Sequence, residues 1–179
     1  QAALPAECGV LRTHYGPFDY RTDRSKLGVV EQYHFTPKVE ALLRGVSGSV
    51  ESELSYTLHA FPNHHRALVS LSRLQQMRKN DKPGQLPYTV GCFFERAVAF
   101  RPDDHVVRML YATYLGKLGR VPDAEQQLGA IKDEQKNNPL TVYNMGLVAL
   151  ELGKPDLALG YAHQAMALGA TRQELKNAL

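Results

Sequence analysis

Histidine is the residue type whose grouping in this chain could do chemistry. Five of the seven histidines stand at candidate positions: His34, His59, His64, His65 and His105. Clustered imidazole nitrogens can bind a transition metal, so the group around Pro62 suggests a metal-binding protein as a remote alternative. However, His64 and His65 are adjacent at the expected start of a helix and would point in different directions. Helix capping and packing are therefore the favoured roles for Asn63, His64 and His65.

The common catalytic motifs are missing from the sequence. It has no glycine-rich phosphate loop followed by Lys and Ser/Thr, no G-x-S-x-G turn and no H-E-x-x-H helix. We therefore expect a protein that is not an enzyme and that uses no cofactor and no resident metal. Its function would depend on the shape and chemistry of its surface.

The composition is that of an ordinary globular protein. Of the 179 residues, 44% are hydrophobic and 22% are charged, and this length can bury a sizeable core. A formal charge of +3 without a run of basic residues gives no sign of nucleic-acid binding. No apolar stretch approaches the roughly 20 residues that span a bilayer, so we expect no membrane span.

The two cysteines and the first residues bear on the cellular compartment. The chain begins Gln1-Ala2-Ala3 without a Met, as after removal of a signal peptide, although trimming at this end is the alternative. We predict a disulfide between Cys8 and Cys92, which would stabilise the fold by about 4 kcal/mol in the entropic description. A buried free thiol at Cys92 is the alternative. The expected location is periplasmic or extracellular.

The clearest structural pattern lies near the C-terminal end of the chain. Two helical patterns, 142–152 and 155–168, flank a short turn at Gly153. Gly146 and Ala158 are small where the two backbones would approach, and Gly153 can adopt the left-handed conformation that ends a helix. Pro155 suits the first position of the second helix. The segment is therefore predicted to be a helix hairpin.

The same hairpin pattern recurs 34 residues upstream. Its key positions have counterparts there: Gly119 for Gly153, Ala124 for Ala158 and Ala112 for Gly146. This spacing resembles the tetratricopeptide repeat (TPR), a 34-residue helix–turn–helix unit. The resemblance implies an all-α protein, a right-handed TPR superhelix of about 3.5 repeats with an extended N-terminal arm.

The repeat length divides the rest of the chain. The predicted parts are an arm or cap (1–30), four repeats (31–64, 65–104, 105–138 and 139–172) and a short C-terminal helix (173–179). The first repeat has a short leading helix after Thr36, with an apolar stripe of Val39, Leu42 and Leu43. Pro62 to Pro102 is 40 residues, six more than a standard repeat, so the second repeat carries a loop insertion. That loop is either a binding element or a tolerated surface insertion.

The arm contains three large aromatic side chains among turn-forming residues. We expect Tyr15, Phe18 and Tyr20 to pack onto the first repeat. Two interpretations remain open, namely a cap over the end of the solenoid and a recognition arm that binds a neighbouring molecule.

The resemblance also implies which residues would bind a partner. In TPR proteins the leading helices of successive repeats line a concave groove. The corresponding groove residues are Arg66, Val69, Arg73, Met77, Met109, Thr113, Lys117, Tyr143, Asn144 and Leu147. Asn144 lies near a position used by peptide-binding members to hold a carboxylate, but Leu110 in the preceding repeat departs from that pattern. A mixed apolar and basic groove suits a helix or an extended segment. The alternative is that the arm of the chain itself covers the groove.

Three segments, 16–21, 34–37 and 61–68, are also similar to secreted TPR proteins of Gram-negative bacteria. We therefore expect a secreted or periplasmic scaffold or assembly factor that binds a protein, with no nucleic-acid partner. The alternative is a structural subunit that assembles with itself into a homo-oligomer or filament, arm to groove or end to end.

Overall fold

A computed structural model of the chain describes residues 3–170, and these residues contain helices and no β-strand. The α-helices are α1 Arg24–His34, α2 Pro37–Glu40, α3 Val50–Ala60, α4 His65–Arg78, α5 Val90–Phe100, α6 His105–Lys117, α7 Val121–Gly129, α8 Pro139–Glu151 and α9 Pro155–Ala167. Two 3₁₀ turns lie at Ala6–Cys8 and Asp133–Asn137. The all-α prediction is confirmed for this part of the chain. None of its helices combines the length and apolar character needed to cross a membrane.

Local sequence explains where the helices begin and end. The side chains of Ser49, Thr89 and Asn138 accept backbone N–H hydrogen bonds at the starts of α3, α5 and α8. Two residues after the ends of α6 and α8 stand Gly119 and Gly153, whose φ angles are +76° and +71°. In each case the next residue donates its N–H back into the last helical turn, which satisfies an otherwise free carbonyl.

The chain divides into two compact units, one ending at Val107 and the other beginning at Arg108. In the first unit, α3 packs against α1 and α4, and α4 packs against α5. Its interior is built from large apolar side chains, among them Leu54, Leu58, Leu68, Leu71 and Phe94.

In the second unit, α8 and α9 form a close hairpin. A methyl group on Gly146 would lie 3.4 Å from the carbonyl oxygen of Ala158 and 3.4 Å from Cβ of Tyr161. The two helices therefore approach each other at the glycine that the sequence pattern selected.

The start of the chain differs from its prediction. The expected extended arm contains a 3₁₀ turn, and it gives way at Arg24 to helix α1, which crosses the predicted boundary at residue 31. The leading helix of the first predicted repeat is a single turn, α2. Leu42 then adopts a φ of +60° and Leu43 is exposed, so neither continues an apolar helical stripe. The predicted C-terminal helix, 173–179, lies outside the described residues.

Candidate functional site

Helix α4 presents a row of exposed side chains along one face. Arg66, Val69, Arg73 and Met77 follow one another at helical spacing, and all four are exposed, Met77 to 65%. The opposite face carries the buried leucines of the core, which fixes the rotation of the helix. His64 is the N-cap residue of α4, because its Nδ1 accepts the N–H of Ala67. These four predicted groove residues thus share one accessible face.

The two arginines of this row differ in their surroundings. Arg66 makes an ion pair with Glu40 at 2.7 Å and lies over the ring of Phe35. Burial opposes its charged form, but Glu40 outweighs that effect and raises the pKa of Arg66. Arg73 is exposed and makes no ion pair with the described part of the chain, so its charge is available to a partner.

The predicted groove residues of α6 are not equivalent. Met109 is only 8% exposed, so its assignment to a groove surface is wrong. Buried side chains occur around most of α6, and this leaves no clean exposed stripe on it. Thr113 and Lys117 do line a surface cavity of about 310 Å³, together with Glu151 and Leu152 at the end of α8.

Helix α8 presents a second row of accessible side chains. Tyr143, Asn144 and Leu147 are half-buried, and Leu140 and Leu150 extend the same face at helical spacing. Leu150 is 58% exposed although its chemistry favours burial. This face has no cationic residue within α8, so it differs from the row on α4.

Helix α9 contributes a third accessible surface, which is almost uncharged. Leu157, Leu159 and Met166 are exposed, and Ala165 is the buried residue of the helix. Three residues from 139 to 170 carry a formal charge at neutral pH: Glu151, Lys154 and Asp156. A helix with apolar residues on several faces is typical of one that another element covers.

The N-terminal arm is fixed to α5 by a covalent bond and by a buried cation. The sulfur atoms of Cys8 and Cys92 are joined in a disulfide, 2.09 Å apart. The Nη1 group of Arg96 donates hydrogen bonds to the carbonyl oxygens of Cys8 at 3.0 Å and Val10 at 2.7 Å. The side chain of Arg96 is fully buried with its guanidinium over the ring of Tyr88, and desolvation lowers its pKa.

Aromatic side chains then anchor the next part of the arm. Tyr15, Phe18 and Tyr20 pack against a buried cluster that includes Ala60 and Phe61 at the end of α3. The N–H of Phe18 also donates to the carbonyl of Ala60 at 2.8 Å. These contacts lie at the α3–α4 connection, and the exposed α4 residues Val69, Arg73 and Met77 are left uncovered.

A buried polar network completes the anchoring of the arm. The amide nitrogen of Asn63 donates to Asp19 and to Asp104, at 2.9 Å in each case. Asp19 also pairs with Arg21 and Arg101. Burial raises the pKa of the Asp19 carboxyl, but the hydrogen bonds from Arg21, Asn63 and Arg101 outweigh burial and hold the pKa well below its usual range. The arm is thus attached in part by charged groups that are paired within the fold.

The histidines have structural partners in this arrangement. His64 is fully buried, and its Nε2 is 2.9 Å from Glu31. Burial, reinforced by Arg66, lowers the pKa of His64 to about 3. His65 bonds Asp104 at 2.8 Å, and Nδ1 of His59 donates to the carbonyl of Ser55 at 2.7 Å. Within residues 3–170, no group of three or more His, Cys, Asp or Glu is placed to hold a metal ion.

The chain matches no protein-family model, and neither a curated protein nor a solved structure is significantly similar to it.

Proposed function

We propose that this protein is a non-enzymatic, TPR-type interaction module whose helices form a right-handed superhelix and hold a protein partner. As a scaffold or assembly factor, it would act in the periplasm or outside the cell. The observation that carries the proposal is the exposed row on α4, where apolar and cationic side chains share one face above a packed core. The disulfide supports an oxidising compartment.

The chemistry of the α4 row indicates the kind of partner. Val69 and Met77 offer apolar contacts, and the thioether of Met77 adapts to irregular partner surfaces. Arg73 and Lys79 add exposed positive charge on and beside the row, and Arg78 is exposed but pairs with Glu51 at 3.6 Å. A helix or extended segment that combines apolar anchors with acidic residues would complement both features.

A pair of labelled amphipathic peptides tests this proposal. One has leucines at helical spacing with glutamates between them, and the other replaces every glutamate by lysine. Fluorescence anisotropy should show binding of the acidic peptide at least about tenfold tighter than of the basic one, and the difference should shrink as salt screens the charges. Equal affinity of the two peptides, or no binding by either, would contradict the proposal.

A second candidate function is self-assembly through the α8–α9 hairpin. The nearly uncharged surface around Leu157, Leu159 and Met166 favours this candidate, because apolar faces of this kind are usually covered in an assembly. Light scattering over a wide concentration range should then show an oligomer that Leu159→Lys dissociates. A persistent monomer would exclude self-assembly and leave binding of a different protein.

A further inference from the structure

The first unit contains a surface cavity that is lined mainly by aromatic rings. It lies where the arm meets α1 and α3, has a volume of about 260 Å³ and is lined by Tyr15, Val29, Val30, Tyr33, His34 and Tyr56. A smaller cavity of about 60 Å³ shares Tyr15 and Tyr56 and adds Thr13, His14, His59 and Ala60. The two cavities therefore share the side chains of Tyr15 and Tyr56.

Two of the tyrosine rings that line this cavity are accessible to solvent. Tyr33 is 53% exposed and Tyr56 is 42% exposed, although both line a concave surface. Tyr56 is stacked on His34, with the ring centroids 3.7 Å apart, which holds the two rings face to face. An aromatic face has a negative potential, so three tyrosines around one space attract a positive charge.

The negative charge near the larger cavity also favours a cationic ligand. Among residues 3–170, no lysine or arginine lines either cavity, although Arg96 is close enough to His59 to lower its pKa. Glu53 lies directly behind His34, with 2.7 Å between its Oε2 and Nδ1 of the ring. Burial raises the pKa of Glu53, but the backbone N–H groups of Ser47, Gly48 and Val46 together with His34 outweigh it and bring the pKa below its usual value. A permanent negative charge therefore stands behind one wall of the cavity.

Hydrogen bonds place a hydrogen on Nδ1 of both His34 and His59. A carboxylate can only accept, so Nδ1 of His34 carries the hydrogen that it shares with Glu53. His59 is arranged in the same way, because its Nδ1 donates to the carbonyl of Ser55. Burial and the nearby Arg96 lower the pKa of His59, which keeps this ring neutral at pH 7.

We propose that the cavity formed by Tyr15, Tyr33, His34 and Tyr56 binds a small organic cation of the alkylammonium class. The tyrosine faces surround the cationic group, Glu53 supplies the compensating charge through His34, and Val29 and Val30 contact the alkyl part. This site is independent of the protein-binding face proposed for α4, because none of its lining residues belongs to that helix.

The test compares ligands of the same shape that differ in charge. Choline and its neutral isostere 3,3-dimethylbutan-1-ol are titrated into the full chain, and the ring signals of tyrosine and histidine are followed by NMR. Butylammonium and butan-1-ol form the same comparison for a primary ammonium ion. We expect at least one cation to bind about tenfold or more tightly than its neutral counterpart. If both alcohols bind as tightly as the cations, or if neither cation binds, the proposal is overturned.

Substitutions at Tyr56 separate the aromatic face from the shape of the site. Tyr56→Phe keeps the ring and should retain cation affinity within about threefold, whereas Tyr56→Leu should weaken it about tenfold. Leu43→Ala, at an exposed position outside the cavity, is the matched control and should leave binding unchanged. Circular dichroism verifies that each variant is folded. Equal binding by the Phe and Leu variants would overturn the assignment of the tyrosine face.

Discussion

The N-terminal arm and the α8–α9 hairpin use opposite kinds of residues for opposite purposes. In the arm, Asp19 is buried and compensated by Arg21, Arg101 and Asn63, so charged groups work inside the structure. In the hairpin, exposed leucines and a methionine remain on a nearly uncharged surface. Because its charges are buried in pairs, the arm can attach only where the specific partner groups are present. An apolar surface can instead pack against partners of many shapes. This chain therefore fixes its arm through specific charge pairs and leaves apolar side chains exposed on its hairpin.

The largest expected effect comes from removing a buried carboxylate beside the arm. Asp104→Ala takes away the acceptor of His65 and Asn63 and the cap of α6 at Val107. Breaking such a buried arrangement costs about 3–5 kcal/mol, which urea unfolding would measure. The neighbouring Asp103 is 54% exposed and pairs with Arg21 at the surface. Asp103→Ala should lower the free energy of unfolding by at most about 1 kcal/mol. Equal losses of stability in the two variants would contradict the stated difference between the buried and the exposed carboxylate.

Acid should destabilise the first unit through its buried histidine. The pKa of His64 falls from 6.5 to about 3 in the folded chain, so the unfolded chain takes up a proton first as pH decreases. The associated stability is complete above about pH 6.5 and is lost as the pH falls toward 3, with a loss of about 2 kcal/mol at pH 5. Burial lowers the pKa values of His59 and His105 in the same direction. Denaturant midpoints that stay constant from pH 7 to pH 5 would contradict this account.

Overpacking the helix hairpin should have a moderate effect. Gly146→Leu places a side chain where a single methyl group already meets α9 at 3.4 Å. Such insertions typically cost about 1–3 kcal/mol, and thermal unfolding should show the lower melting temperature. Gly160→Leu is the control on the same hairpin, because Cβ there would meet nothing within 4 Å. The control should lose less stability than Gly146→Leu.

The smallest effect is expected on the exposed hairpin surface. Leu159 is exposed on α9, so Leu159→Ser should change the free energy of unfolding by no more than about 0.5 kcal/mol. Chemical denaturation at a low protein concentration measures this change in the free energy of unfolding without a contribution from association. A loss of several kcal/mol would show that this surface is part of the fold and not free for a partner.

Strong local signals made much of the helical structure predictable. Gly153 and Pro155 correctly marked the turn between α8 and α9, although α8 begins at Pro139, three residues before the predicted start at 142. Helix α1 was missed because its buried positions, Leu27 and Val30, are few and its packing depends on Ala60 and Phe61 far along the chain. The periodicity of a local sequence cannot predict a contact with residues so far along the chain.

The buried charges were harder to anticipate than the helices. Asp19 and Asp104 look like surface residues, and Asn63, which donates to both, lies 44 positions from Asp19 and 41 from Asp104. Arg96 did carry a signal, because it is the one arginine in the apolar helix sequence VGCFFERAVAF. The exposed row on α4 was expected from the TPR resemblance, whereas Met109, which the same resemblance placed in the groove, is buried.

A charge exchange at Arg73 tests the central claim most directly. Arg73 lies in the middle of the exposed α4 row, away from the arm and the tyrosine-lined cavity. The variant Arg73→Glu should have unchanged stability. Its affinity for the acidic peptide should fall at least about tenfold, and its affinity for the basic peptide should rise. Anisotropy titrations of both peptides with both proteins give the full comparison. Unchanged affinities would contradict the claim that this face of α4 binds the partner.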